Sequence, residues 1–389
     1  MTISIVNFQI IRPLYSADQT TILEWVARAH SQAEALKKKW DLDGEDFQRF
    51  YDEIKARLLQ LGVGPDKIKR RGMESSDFLH QNWNEMGIFK LGEAEEGLGL
   101  KTRKDFFDQQ VSRVFEAFYP EDSSISSHLI HVTCTGYAAP SGAQRIVSKK
   151  NQGIETTVTH AYHMGCYAAF PALRMGSGFL SMPSISQDKA VDIVHTEMCS
   201  LHFNPILHST EQLVVQTLFA DGFIKYSLML LDEAKGRNLE RLDILSLHEE
   251  IVANSSGSMT WGFENWGMRM TIAKEVPVLI KRNLKSFIQR LIEKAGLNPE
   301  AVHKEALYAI HPGGPKIVQQ IAEILGLDRE HIRHSQAILE EYGNMSSGTL
   351  PHIWDRIMKD PHVKQGTWII GLAFGPGLSI SGGLFQKGA

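Results

Sequence analysis

Three side chains that could do chemistry stand at glycine-rich breaks before helical stretches. Cys166 lies in Thr159-His-Ala-Tyr-His-Met-Gly-Cys-Tyr-Ala-Ala-Phe, where a β-branched stretch runs into Gly165 and an alanine-rich apolar stretch follows. His311 opens His-Pro-Gly-Gly-Pro-Lys, and Asn344 sits in Tyr-Gly-Asn-Met-Ser-Ser. A strand-to-helix turn at Cys166 puts the thiol at a helix N-terminus, whose partial positive charge favours thiolate. Such surroundings lower a cysteine pKa from roughly 8.5 to about 3.5–7.5. A thiolate attacks thioesters and amides to give a covalent acyl-enzyme. A nearby histidine can hold the thiolate as an ion pair or donate to a developing oxyanion. A carboxamide adds a second donor and stabilises an enolate without taking up its proton. One preorganised donor contributes about 3–4 kcal/mol. Singly, each residue has an ordinary reading: a small buried filler for the cysteine, a satisfied core or surface residue for the histidine, a helix cap for the asparagine. The combination is what points to catalysis.

Papain-like hydrolases use Cys, His and Asn in this order, and the spacing here does not exclude them. The local context does: Gly165-Cys166-Tyr167 lacks the Cys-Gly-Ser/Ala-Cys-Trp signature.

The elements that must carry these residues follow from hydrophobic periodicity. Residues 1–10 read as a strand. Residues 45–61 read as a helix with Phe47, Phe50, Tyr51, Ile54 and Leu58 on one face, ended by Gly62 and Pro65. Residues 102–119 form a second amphipathic helix, started by Thr102 and Asp105. The segment between these helices is polar and irregular. From about residue 128 strands alternate with helices: strands at 128–133, 156–161, 190–196 and 223–231, helices at 141–148 and 166–177. A helix at 277–295 aligns Val278, Leu284, Phe287, Ile288, Leu291 and Ile292. A strand at 306–310 leads into the His311 turn and a helix closed by Gly326, and another helix follows Asn344. The apolar stretch Thr367–Phe385 has a membrane span's length, but its five glycines and one proline suit two buried strands around a loop. Apolar strands alternating with helices mean an α/β architecture with covered sheets. The halves split near residue 240: an N-terminal half, 1–240, carries the cysteine, and a C-terminal half, 241–389, carries the histidine and asparagine.

Bulk composition narrows the function. The chain has 389 residues and net charge −4 from 41 basic and 45 acidic groups, which gives no overall attraction to nucleic acid or anionic membranes. Its three cysteines, Cys134, Cys166 and Cys199, do not suggest a disulfide framework. The first residues lack a basic and long apolar leader. A cytoplasmic location is expected.

A fuller set of motifs resembles the type III polyketide synthases, the chalcone-synthase-like branch of the thiolase superfamily. Met164-Gly-Cys-Tyr-Ala-Ala resembles that family's nucleophile motif, and Leu218-Phe-Ala-Asp-Gly resembles its Leu-Phe-Gly-Asp-Gly. Ala273-Lys-Glu-Val-Pro is similar to Leu-Lys-Asp-Val-Pro. His311-Pro-Gly-Gly-Pro-Lys-Ile and Glu341-Tyr-Gly-Asn-Met-Ser-Ser look nearly unaltered. Gly371-Leu-Ala-Phe-Gly-Pro-Gly-Leu resembles the C-terminal Gly-Phe-Gly-Pro-Gly-Leu loop. The resemblance covers residues 125–389 well. It reaches the first 120 loosely, through Lys67-Ile-Lys-Arg-Arg-Gly-Met.

The resemblance implies a thiolase-like five-layered αβαβα fold of two duplicated halves. It implies Cys166 as acyl-accepting nucleophile and His311 with Asn344 as the decarboxylation and oxyanion site. Phe219 matches one gatekeeping phenylalanine, and Met270 replaces the other. Cys134, Cys199 and His202 fall on the elongation cavity, where plant members mostly carry threonine, and Ser346 belongs to the same pocket. Ala139, in the loop Gly136-Tyr-Ala-Ala-Pro-Ser, replaces a methionine of plant members; in the implied homodimer this loop crosses into the partner's cavity. Lys67, Lys69, Arg70 and Arg71 are the candidates for the coenzyme A phosphates. The implied substrates are an acyl starter, on coenzyme A or an acyl carrier protein, and malonyl-CoA, with no metal and no cofactor. The product would be a pyrone, resorcinol or related ring, as in bacterial alkylpyrone or alkylresorcinol synthases. The rival enzymes are a single-round KAS III-type β-ketoacyl synthase and a cysteine hydrolase.

Overall fold

The computed structural model describes residues 2–182 and 190–388. Among them the strands are β1 (Ile3–Ile11), β2 (Tyr15–Asp18), β3 (Arg70–Met73), β4 (His128–Thr133), β5 (Thr157–Tyr162), β6 (Ala190–Met198), β7 (Asp221–Leu230), β8 (Arg241–Ile251), β9 (Met259–Phe263), β10 (Met268–Ile272), β11 (Leu307–Ile310), β12 (Trp368–Gly375) and β13 (Ser379–Lys387). The helices are α1 (Gln19–Lys38), α2 (Glu45–Leu61), α3 (Leu100–Phe118), α4 (Gly142–Lys149), α5 (Ala169–Ser181), α6 (Thr210–Leu218), α7 (Leu231–Gly236), α8 (Val276–Glu293), α9 (Pro299–Glu305), α10 (Pro315–Leu325), α11 (Arg329–Tyr342) and α12 (Thr349–Lys359).

Nine strands form one mixed sheet in the order β11-β12-β13-β8-β1-β7-β6-β4-β5. The duplication is visible in its pairing. At the centre β1 and β8 run antiparallel. Outward on one side, β1 pairs antiparallel with β7, β7 antiparallel with β6, and β6 parallel with β4. Outward on the other, β8 pairs antiparallel with β13, β13 antiparallel with β12, and β12 parallel with β11.

Side chains alternate across each strand, so every inner strand feeds two cores. Leu129, Val194 and Phe223 point into the core under α1, α2 and α3. Their neighbours Ile130, Ile193 and Ile224 point into a central core with Phe170 of α5 and Trp354 of α12. Ile369 and Ala373 reach that central core from the other half, while Ile370 and Leu372 face α8 and α10. Helices thus lie outside both half-sheets and between them, which is the five-layer α/β arrangement expected. The central layer is tight: the Phe170 and Trp354 rings stand 5.8 Å apart.

Most helix faces follow the apolar spacing. Phe47, Tyr51, Ile54 and Leu58 are buried on α2, and the Gly62 N–H closes it onto the Leu58 carbonyl. On α8 the buried stripe includes Leu284, Phe287, Ile288, Leu291 and Ile292, whereas Val278 is 48% exposed. Truncating a fully buried ring such as Phe287 to alanine costs about 3–5 kcal/mol. The terminal apolar stretch is the hairpin β12–β13, and among the described residues no helix is long and apolar enough to cross a membrane.

Candidate active site

The turn between β5 and α5 fixes the thiol. Gly165 has φ +79° and donates its N–H to Cys134 Sγ at 3.0 Å. An added Cβ there would lie 2.6 Å from Pro376 Cδ, so only glycine fits both the backbone and the space. Helix α5 begins at Ala169, three residues later than the cysteine start expected from sequence. Cys166 therefore sits in the turn and not on the first helical residue.

The turn after α11 brings the other wall. Asn344 is buried; its N–H donates to the Leu218 carbonyl at 3.1 Å and its own carbonyl accepts from Ala220 N–H at 2.8 Å. This locks the residue beside Phe219. Its side-chain Oδ1 accepts from Ser346 N–H at 2.8 Å and from Thr349 Oγ1 at 3.3 Å. Nδ2 has no partner among the described residues. Ser346 adopts φ +48° and stands 3.9 Å, oxygen to sulfur, from Cys166 Sγ.

His311 follows β11. Its N–H bonds the Leu372 carbonyl of β12 at 2.8 Å. Downstream on β12, Gly375 lies against the Tyr167 ring and Pro376 against Gly165. The histidine thus leaves its strand one position over from the strand whose end packs on the cysteine turn. Its ring is buried, and neither nitrogen has a hydrogen-bond partner among the described residues. Cys166 and Ser346 line a common cavity; His311 and Asn344 are not on its wall.

Electrostatics correct one expectation. Burial pushes the Cys166 thiol up to about 12, the nearby Ser346 hydroxyl opposes that, and the charge of Glu197 adds to it. Removal from water outweighs any helix-end field on a thiol three residues outside the helix. Burial likewise pushes His311 down to about 3. The site rests as neutral thiol and neutral imidazole.

The cavity measures about 60 Å³. Cys134, Cys199, His202, Phe219, Met270 and Ser346 line it, together with Thr135, Met259, Trp261 and Met268. His202 is a fixed neutral ring: Nδ1 accepts from Met268 N–H at 3.1 Å and Nε2 faces the Thr135 carbonyl at 3.2 Å. It pins the β9–β10 hairpin over the cavity. Trp261 Nε1–H, donating to the Cys134 carbonyl at 2.8 Å, makes a second tie.

Ala139 is exposed and off this chain's own cavity, in a loop with a cis Ala139–Pro140 bond. One expectation fails here. The basic run does not converge: Lys67 pairs with Asp66, Lys69 with Glu340 and Arg70 with Asp18, all near the surface. Arg71 points the other way and is 4% exposed, because strand alternation along β3 turns it inward. It cannot meet a coenzyme phosphate in solvent.

Glu197 was missed. It is fully buried on β6, accepts the Cys134 N–H at 3.0 Å and the Ser347 hydroxyl, and is pushed up to about 7 by burial. The signal was an acid on the strand run Ala190–Met198, which also carries Asp192, His195 and Thr196. Among the described residues no group of three or more His, Cys, Asp or Glu side chains could hold a metal ion.

Comparison with known proteins shows what the chain is similar to. Residues 243–387 match the model of the C-terminal domain of chalcone and stilbene synthases. Over that part the chain is similar to the chalcone and stilbene synthases. A Dictyostelium discoideum protein named polyketide synthase 1 is 28% identical over 269 residues, 67% of this chain but only 8% of that much longer protein. Type III polyketide synthase C of Arabidopsis thaliana is 26% identical over 266 residues, 67% of each. The crystal structure of the C-terminal type III polyketide synthase domain of Steely1, a type I/III hybrid from Dictyostelium, superposes with TM-score 0.80 at 20% identity and full coverage of both chains. Each of these relatives is named a polyketide synthase.

Proposed function

We propose that the protein loads an acyl starter on Cys166 and extends it by repeated decarboxylative condensation with malonyl-CoA. One observation carries the reading: a buried thiol in reach of the Ser346 hydroxyl, with Asn344 Nδ2 and both His311 nitrogens buried and unpartnered. Buried polar groups are normally satisfied, so these are groups waiting for a substrate.

Burial disfavours thiolate and imidazolium separately, but each is the other's counter-ion. Proton transfer from Cys166 to His311 as the starter thioester arrives gives the attacking sulfur. The acyl–sulfur bond forms as the carrier thiolate leaves, and that thiolate takes the proton back from His311. Malonyl thioester then loses carbon dioxide. The enolate oxygen receives hydrogen bonds from His311 and from Asn344 Nδ2, in a site where water does not compete. The enolate carbon attacks the acyl-cysteine, and Cys166 is released for the next round. Cavity-lining Met259, Met268 and Met270 have flexible side chains that can move aside for a growing chain.

The nucleophile then belongs to the half at 1–240 and its two partners to the half at 241–389. The starter comes from coenzyme A or an acyl carrier protein, the product closes to a pyrone or resorcinol, and no cofactor beyond the thioesters takes part. We place the enzyme in the cytoplasm as a homodimer, with Ala139 of each exposed loop turned to its partner. Incubation with malonyl-CoA and a panel of acyl-CoAs, with products identified by mass, tests the reading. Products carrying several malonate-derived units support it; thioester hydrolysis alone, or a single unit from every starter, contradicts it.

A further inference from the structure

Two arginines are fully buried in the N-terminal layer, and they differ in one respect. Arg103 uses all three nitrogens on backbone carbonyls: Nε on Leu98 at 2.8 Å, Nη1 on Leu201 and Phe203, and Nη2 on Glu96 at 2.6 Å. It is saturated and lies off the reaction cavity. Arg71 lines the cavity. Its Nε donates to Gln19 Oε1 at 2.8 Å, and Nη1 donates to the Gln216 and Phe219 carbonyls at 2.9 and 2.8 Å. Its Nη2 has no hydrogen-bond partner among the described residues, and the charge of buried Asp221 acts on the guanidinium without a contact to Nη2. The cavity lining includes apolar Ile22, Met73 and Phe78 beside polar Gln212 and Gln216.

A structural arginine would be satisfied as Arg103 is. A buried cation with two idle N–H bonds beside a cavity lacks an acceptor that only an occupant can bring. The fork geometry suits one oxygen or a carboxylate. Resting on the synthase reading above, we propose that Arg71 is a specificity-determining residue whose Nη2 receives an oxygen of the acyl starter. The preferred starter is then an acyl thioester with a distal hydroxyl, carbonyl or carboxylate oxygen, and not a plain alkyl chain. A plain chain would leave the guanidinium unpaired and displace any water that served it.

Loading is the step to read, because extension itself adds keto oxygens to every chain. Acyl-CoAs of matched lengths ending in methyl, hydroxyl or carboxylate are offered without malonyl-CoA, and acylation of Cys166 is timed by intact-protein mass. At least one oxygenated series should load about 10–100-fold faster than its methyl counterpart, the value of a hydrogen bond to a charged group. Arg71→Met should bring that ratio to about one, and Arg71→Lys should restore part of it. Equal loading of all end groups by the unmodified enzyme overturns the proposal, as does an unchanged ratio in a folded Arg71→Met protein. If Arg71→Met does not fold, the unmodified enzyme's ratio decides alone. No acylation by any thioester would instead refute the synthase reading itself.

Discussion

Gly165→Ala tests whether the turn that aims the thiol is as constrained as its geometry says. The residue sits at φ +79°, where an L side chain costs roughly 1–3 kcal/mol. The new Cβ would also lie 2.6 Å from Pro376 Cδ and 3.1 Å from its Cγ. Ordinary contact is near 3.4 Å or beyond, so several tenths of an ångström must be found in a proline ring that cannot rotate away. Overpacking of that kind costs about 1–3 kcal/mol. The sum is about 2–6 kcal/mol, and relaxation would push Pro376 and the end of β12 away from Cys166. Gly178→Ala, also a glycine near α5 but exposed with nothing within 4 Å of an added Cβ, is the control. It should stabilise by about 0.5–1 kcal/mol through helix propensity. Thermal unfolding of both variants and the acylation rate of each are the assays. Gly165→Ala melting with the unmodified protein and loading at its rate would refute the turn's proposed constraint.

Further outcomes follow from the same site. His311→Ala and Asn344→Ala should each slow malonyl-CoA decarboxylation by about 100-fold or more while the fold is kept; normal carbon dioxide release in both would remove them from the reaction. With the thiol lifted to about 12, iodoacetamide alkylation of Cys166 should rise about tenfold per pH unit with no plateau below about pH 10; a plateau near neutral pH would mean that a thiolate–imidazolium pair exists before substrate binds. Glu197 is lifted to about 7, so it holds its proton more tightly folded than unfolded. Its stabilisation is complete below the ordinary carboxylate range and is lost as pH rises through about 7, a change of about 3 kcal/mol. Thermal stability should therefore fall across that window, and Glu197→Gln should flatten the fall; the same slope in the variant would sink the assignment.

Local rules made much of the fold legible. The α2 face repeats apolar residues at helical spacing, and it folds with the boundaries expected, Glu45–Leu61. His128–Thr133 is a strand because its apolar run is short and bounded, and the glycines of the last stretch mark a hairpin. Helix α1 went unread. Its buried face includes His30, Ser31, Gln32 and Glu34 beside small alanines, so apolar periodicity is weak although the helix is largely covered. The β9–β10 hairpin was missed for a similar reason: its hold on the cavity comes from the His202 and Trp261 hydrogen bonds, which link residues far apart in sequence. Motifs marked the site residues, yet not their ionisation. Whether Cys166 lies on the helix or before it depends on the Gly165 turn, and its burial depends on elements hundreds of residues away. Arg71 differs from that expectation because four basic residues within Lys67–Arg71 look alike in sequence, and only the pairing of β3 with β2 shows which one turns inward.

Intact-protein mass after incubation with an acyl-CoA examines the role of Cys166 most directly. The unmodified enzyme should gain the mass of one acyl group, mapped by peptide digestion to Cys166, and Cys166→Ala should gain nothing while melting as a folded protein. An acyl group found on Cys134 or Cys199, or carbon–carbon bond formation persisting in Cys166→Ala, would contradict the assignment.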